Sequence, residues 1–281
     1  MISDIDRHRW PVLPACIVFA LLFVGPLAFF LIVSFWRLRA YKLVPDFTLD
    51  NYIDVWQEYL HSAIFTLLIS LLIAIITTVI GFMIAYLARF RSGRYGGLIL
   101  FVVLVTLFGG YLVKIYAWKT ILGTGGILNS TLVDLGLIDE PLAWLLYSPA
   151  AVVITLVNFL LPFAVLPIYG SLRGIDDVPL SAARDLGAGG ARVFRDIVLP
   201  QCKPGIFAAF ALSFLITVGD YVTPRLVGGT NTFMAGNFIE SQFINRLNAP
   251  IGSALSYAML IGCGLVLLLF QKTLTRVLRP R

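Results

Sequence analysis

The stretch AIFTLLISLLIAIITTVIGFMIAYLA, residues 63–88, runs for 26 residues without one charged side chain. A hydrocarbon core about 30 Å thick takes about 20 such residues of helix to cross. Working outward, 12–35, 98–117, 149–170 and 251–270 have the same character, and 205–222 is a shorter relative that ends at Gly219-Asp220. The 281-residue chain is 59% hydrophobic and 13% charged, against about 45–50% apolar and about 25% charged in soluble domains. Its mean hydropathy is +0.92. These values exclude a soluble enzyme, a disordered chain and a disulfide-stapled secreted scaffold. They predict an all-α integral membrane protein: one transmembrane domain over residues 1–281, with six spans.

Charge sets the orientation. The N-terminus, the 89–97 turn, the 171–204 loop and the C-terminus hold 14 Lys and Arg residues, and the intervening segments 36–62, 118–148 and 223–250, with the span ends, hold 7. The basic excess marks the cytoplasmic side, so both termini are expected there. The cluster Arg37, Arg39 and Lys42 runs against that bias. The net charge of +6 reads as the same bias and calls for no nucleic acid. The first span is too long for a signal-peptide core of about 7–15 residues, so it is expected to be retained. Cys16, Cys202 and Cys263 are scattered and only His8 and His61 occur, which gives no metal-ligand pattern.

The segment 171–204 is patterned where a passive connection would be loosely polar. Asp176-Asp177 ahead of Pro179 is a helix start. Leu180, Ala183, Leu186 and Gly187 then recur at helical spacing. Gly189-Gly190 is expected to break that helix, and a second one through Val193, Phe194, Ile197 and Val198 is expected to stop at Pro200. Two assignments fit: a helix lying among lipid headgroups, or a docking element whose small residues Ala182, Ala183, Gly187 and Ala188 admit another backbone.

Ser181-Ala182-Ala183, then Gly187, then Ile197-Val198-Leu199-Pro200 resembles the EAA loop of permease subunits in binding-protein-dependent ABC importers. Further stretches resemble their spermidine/putrescine-type branch: Phe47-Thr48-Leu49-Asp50-Asn51-Tyr52, Ile115-Tyr116-Ala117-Trp118-Lys119, Gly126-Ile127-Leu128-Asn129, Gly136-Leu137-Ile138-Asp139 and Gly219-Asp220-Tyr221-Val222-Thr223-Pro224. The resemblance implies a type I importer bundle in a bacterial inner membrane. It implies a second permease subunit, two ATP-binding cassette ATPase subunits and an extracytoplasmic solute-binding protein as partners. ATP and magnesium would be held by the ATPases, and no cofactor by this chain. The coupling residues would be Ser181, Ala182, Ala183, Arg184, Asp185, Gly187 and Ala188. One departure stands out, since the glutamate that opens the family motif is Ser181 here.

The resemblance implies a polyamine as cargo. Thr106-Leu107-Phe108-Gly109-Gly110 stands where that branch often carries Pro-Phe-Trp, which keeps an opine, a phosphonate or an amino-acid-derived solute as alternatives. No lysine follows a glycine anywhere in the chain, so there is no phosphate-cradling G-x-x-x-x-G-K-[ST] loop. No constellation of catalytic spacing occurs, which disfavours a membrane enzyme. A self-sufficient transporter would need a carboxylate relay or inverted repeats, and neither is evident.

Polar residues in spans are expensive and therefore candidates for function. Asp220 beside Tyr221 suits an amine, which a carboxylate pairs and a ring face attracts. It equally suits a cap on the next segment or a partner for Arg225. Asn158 either lines a cavity or hydrogen-bonds between helices. Phe108, Tyr111 and Tyr116 fit a pathway lining or an interfacial aromatic belt, and Lys114 fits an interfacial anchor. Glu240 and Gln242 are candidates to meet a partner protein. Asp134, Asp139 and Glu140 are expected in solvent.

Overall fold

A computed structural model of the chain describes residues 13–40 and 42–278. Arg7, Arg9, Arg279 and Arg281 of the charge count, His8, and the expected first-span start at Val12 lie outside the described residues. In chain order the helices are α1 (Pro14–Val33), α2 (Asp50–Arg91), α3 (Gly96–Phe108), α4 (Tyr111–Leu122), α5 (Ile127–Asp134), α6 (Pro149–Arg173), α7 (Asp177–Asp185), α8 (Gly190–Gln201), α9 (Lys203–Val218), α10 (Ala235–Glu240) and α11 (Ala249–Val277). One small antiparallel hairpin, β1 (Arg37–Arg39) with β2 (Lys42–Val44), adds to the all-α expectation and sets Leu38 opposite Leu43.

Among the described residues, four helices (α1, α2, α6 and α11) are long and apolar enough to cross a bilayer unaided, and with each of two bent pairs taken as one span the total is six. The bends correct two expectations. The segment 98–117 is not one straight helix: the helical stretches Gly93–Phe108 and Tyr111–Asp134 meet at 98°, because Gly109 and Gly110 take extended backbone angles. Glycine has the least to lose by leaving a helix, which makes the pair a ready corner. Pro200 does not stop the second loop helix. It sits inside α8, which meets α9 at 64° after Cys202. The turns Phe194–Val198 are π-wide, which relieves the clash a proline ring makes with the carbonyl four residues back. The same device carries α1 through Gly25-Pro26, where Ala20–Val24 widen just ahead.

The chain divides into two compact units. In the unit of Met1–His61 and Phe238–Leu260, α1 exposes nearly all its large side chains, among them Leu21, Leu22 and Phe23. Such a helix needs lipid or another protein to cover it. Asn51 closes its end by donating to the Ser34 and Trp36 carbonyls at 2.8 and 2.7 Å. Arg37 pairs with Asp46 at 3.5 Å and with Asp50, and Arg39 with Asp46 at 3.7 Å. The arginines that run against the charge bias are thus held by carboxylates. Gln242, expected at a partner surface, is instead 2% exposed and donates to the Tyr59 hydroxyl at 2.8 Å.

The unit of Ser62–Asn237 and Ile261–Arg281 is built on α6. Its first half packs Val152, Leu156 and Leu160 with Ile69, Ile73 and Ile115. Its second half packs Ala164, Ile168 and Leu172 with Ala85, Ile206 and Ala209. Small residues let the backbones approach. A Cβ on Gly81 would stand 2.8 Å from the Cβ of Ala164, and one on Gly205 would stand 2.7 Å from the Pro167 carbonyl oxygen and 2.8 Å from the Ser171 Cβ. Backbone cannot yield there as a flexible side chain would. Gly205→Ala is therefore expected to destabilise the fold by about 1–3 kcal/mol through overpacking, read as a lower unfolding temperature in detergent. An unchanged temperature would show that α6 and α9 are free to move apart.

Candidate functional site

Two places in the second unit gather the polar residues that the hydrophobic packing does not explain. The first forms where α4 leaves the glycine corner and the chain leaves α9. Tyr111 opens α4, and its hydroxyl donates to Asp220 Oδ1 at 2.6 Å and lies 2.9 Å from Thr223 Oγ1. Val222 and Thr223 donate their backbone N–H groups to the same carboxylate oxygen at 2.9 and 3.2 Å. This is an Asp side chain closing the turn that follows it, so the capping assignment holds for Oδ1. The other oxygen is different. Asp220 is 8% exposed, and its Oδ2 is buried with no hydrogen-bond partner. A buried carboxylate oxygen left bare is a rare and costly arrangement.

Aromatic rings stand around this carboxylate's partner. Phe159 lies 4.8 Å from the Tyr111 ring, centroid to centroid, and the Lys114 ammonium sits 5.3 Å from the Phe159 centroid. Lys114 thus packs on an aromatic face, a cation–π contact. Next to Phe159, Asn158 is exposed on α6. Pro162, inside the same helix, has no N–H to offer the Asn158 carbonyl. An amide and a freed carbonyl together make a polar patch in mid-span, which acyl chains would leave unsatisfied. That face of α6 belongs against water or protein. Tyr221 is 41% exposed, and its carbonyl accepts the Asn237 amide at 2.6 Å. Phe108, 87% exposed, is not gathered into the cluster.

The second place is the loop helix α7. Asp176 occupies its N-cap position with extended angles, as expected. Leu180 is buried in the same core as Val193 and Val198, so the loop is anchored to the bundle. Arg89, from the last turn of α2, donates to Asp177 at 3.0 Å. The helix ends earlier than the glycine pair suggests. Gly187 has φ +83°, and its N–H reaches the Arg184 carbonyl at 2.9 Å while Ala188 reaches that of Ala183 at 2.9 Å. This pairing is a Schellman stop. Gly187 is therefore a helix terminator rather than part of a helical face.

The expected small-residue surface is divided as a result. Ala183 and Ala188 pack onto the bundle core, whereas Ser181, Ala182, Arg184, Asp185 and Gly187 are exposed. Leu186, which recurs with Leu180 and Ala183 at helical spacing, is 89% exposed at the helix tip, and Val178 is 75% exposed.

Residues 79–281 match the family of binding-protein-dependent transport system inner membrane components. The chain belongs to that family. Over 231 residues this permease is 36% identical to the spermidine/putrescine transport system permease protein PotB of Escherichia coli (strain K12), covering 80% of this chain and 82% of that one. It is 30% identical over 268 residues to the inner membrane ABC transporter permease protein YdcU of the same organism, covering 86% and 85%. A solved bacterial alginate ABC transporter, in complex with an alginate pentasaccharide-bound periplasmic protein, contains a chain that superposes with a TM-score of 0.72. The superposition covers 98% of this permease and 96% of that chain at 18% identity, which establishes the type I importer permease fold.

Of the residues singled out in the permease sequence, the structure brings Tyr111 and Asp220 together, sets Asn158 one residue from their aromatic neighbour and leaves Phe108 apart. It adds Thr223, Phe159 and the Arg89–Asp177 pair. Thr223 lies three residues after Asp220, the spacing of a side chain that shares a turn. Phe159 follows Asn158 and carries no polar signal of its own. Arg89 and Asp177 are 88 residues apart, and no local pattern connects them.

Proposed function

We propose that this permease forms half of the membrane pathway of an ATP-driven importer for a polyamine. A second permease subunit would complete the pathway, two ATPase subunits holding ATP and magnesium would drive it, and an extracytoplasmic binding protein would deliver the solute. The observation that carries the cargo is Asp220. Its Oδ2 is buried and unpartnered on a carboxylate bonded to Tyr111, whose ring lies against Phe159, and an alkylammonium there would gain a charge-assisted hydrogen bond with aromatic faces nearby. The likeness to PotB points the same way. Asn158 and Tyr221 would continue the path.

Energy would enter at α7. The exposed Leu186 and Val178 and the divided alanine face suit a groove in an ATPase, and the helix is tied to the bundle by Leu180 and by the Arg89–Asp177 pair. The chain makes and breaks no bonds in this scheme. It offers two packings whose populations ATP binding and the loaded binding protein shift.

The test is uptake by the reconstituted importer with its binding protein. Labelled putrescine or spermidine is expected to accumulate with ATP, and unlabelled linear amines to compete where an alginate oligosaccharide or a neutral sugar does not. Uptake of an anionic solute with no amine competition would overturn the cargo reading.

A further inference from the structure

The end of α2 and the loop helices enclose two adjoining cavities; the transport reading leaves the first unused, and the second shares Val178, Ser181 and Arg184 with the coupling helix α7. The larger, of about 690 Å³, is walled by Val79, Phe82, Met83, Phe194, Leu199 and Ile206. The second, of about 560 Å³, is lined by Arg89, Arg91, Asp177, Ser181 and Arg184 among others. Both are bounded by Tyr86, Arg91, Gly190 and Phe194. The Tyr86 and Phe194 rings meet edge to face at 5.4 Å and form the partition.

The chemistry of the pair is amphiphilic and basic. The first cavity has no acidic wall, and Arg91 stands where it adjoins the second. It opens on the face of α2 that exposes Leu68, Leu72, Ile75, Val79, Met83 and Leu87, an aliphatic stripe suited to acyl chains. A cationic cargo would be repelled by Arg91 and would find no carboxylate among those walls, so the translocation path is a poor occupant. A phosphodiester on an acyl chain matches both halves.

The geometry points to a site for one anionic glycerophospholipid, with an acyl chain in the Val79–Met83–Phe194 cavity and the phosphate on Arg91. Arg89, whose Nε is buried without a partner while its fork holds Asp177, stands in the neighbouring cavity with Arg184. Basic pockets between helices on the cytoplasmic side are suited to such headgroups. A lipid there would touch the end of α2 and the loop helix α8 at once, and so would stiffen the link between loop and bundle.

The full-length permease, with whatever subunits accompany it, would be purified in mild detergent from vesicles of equal phosphatidylglycerol and phosphatidylcholine, and its retained lipid identified by mass spectrometry. Phosphatidylglycerol is expected to be retained about fivefold over phosphatidylcholine for a single arginine engaged. Arg91→Gln should abolish the preference while an acyl chain is still held, and Val79→Trp should abolish retention of both lipids. Equal retention of the two lipids by the unsubstituted protein overturns the site whether or not the variants assemble. So does Met83→Cys reacting with a membrane-impermeant maleimide as fast as an exposed thiol, since the cavity would then be filled with water.

Discussion

Asp220→Asn is expected to lower amine uptake by about 10–150-fold, the worth of one charge-assisted hydrogen bond of about 1.5–3 kcal/mol. The substitution is chosen for what it keeps. Asparagine retains an oxygen for the backbone N–H groups of Val222 and Thr223 and for the Tyr111 hydroxyl, which all meet at Oδ1. It removes the negative charge and puts an uncharged amide nitrogen in place of Oδ2, the atom with no partner. Expression and unfolding temperature should therefore stay close to those of the unsubstituted protein while transport falls. Tyr111→Phe separates the roles further. It deletes one of the three donors to Oδ1 but leaves the carboxylate charged and held by the Val222 and Thr223 N–H groups, so a smaller loss than that of Asp220→Asn is expected. If Asp220→Asn transports amines at the full rate, Asp220 is only the cap of its turn and the cargo reading loses its carrier.

That experiment is informative because the sequence leaves Asp220 open to an amine, a cap or a pairing with Arg225, and the structure shows capping contacts at Oδ1 and none at Oδ2. Much else was legible from residue types alone. The spans follow from hydropathy, since runs such as 63–88 have no other stable place. The loop helix was legible from Asp176-Asp177-Val178-Pro179, a start signal that works through local backbone chemistry. Three features resisted for physical reasons. Gly109-Gly110 lies in an apolar run, so hydropathy reads through it, and only backbone angles reveal a corner between α3 and α4. Gly187 and the pair Gly189-Gly190 are equally able to end a helix, and the choice falls to whichever completes the Schellman bonds. Leu186 has the spacing of a packed residue but sits at the C-cap, where the helical phase no longer decides which way a side chain turns. The Arg89–Asp177 pair and the approach of Phe159 to Tyr111 are long-range and needed the fold itself.

The position of Leu186 carries the second large effect. Leu186→Asp should leave the permease folded, because the side chain is 89% exposed and loses no packing within the chain. Against an ATPase groove the same change removes about 1.5–3 kcal/mol of apolar burial and adds a charge whose burial costs more still. Engagement is expected to weaken by about 10–150-fold from the apolar loss alone, at a factor of ten for every 1.4 kcal/mol. Substrate-stimulated ATP hydrolysis should fall to its unstimulated level and uptake should fall with it. Gly187 supplies the control that separates contact from backbone. At φ +83° an ordinary L-residue is strained by about 1–2 kcal/mol, and asparagine tolerates the left-handed region better than a β-branched residue does. No described residue lies within 4 Å of a Cβ added there. If Gly187 matters only as the helix stop, Gly187→Asn should transport far better than Gly187→Val. If a partner backbone lies against it, both should fail alike, because either side chain blocks the approach. Full transport by Leu186→Asp together with both Gly187 variants would mean that α7 touches no ATPase, and the force would have to enter the bundle elsewhere.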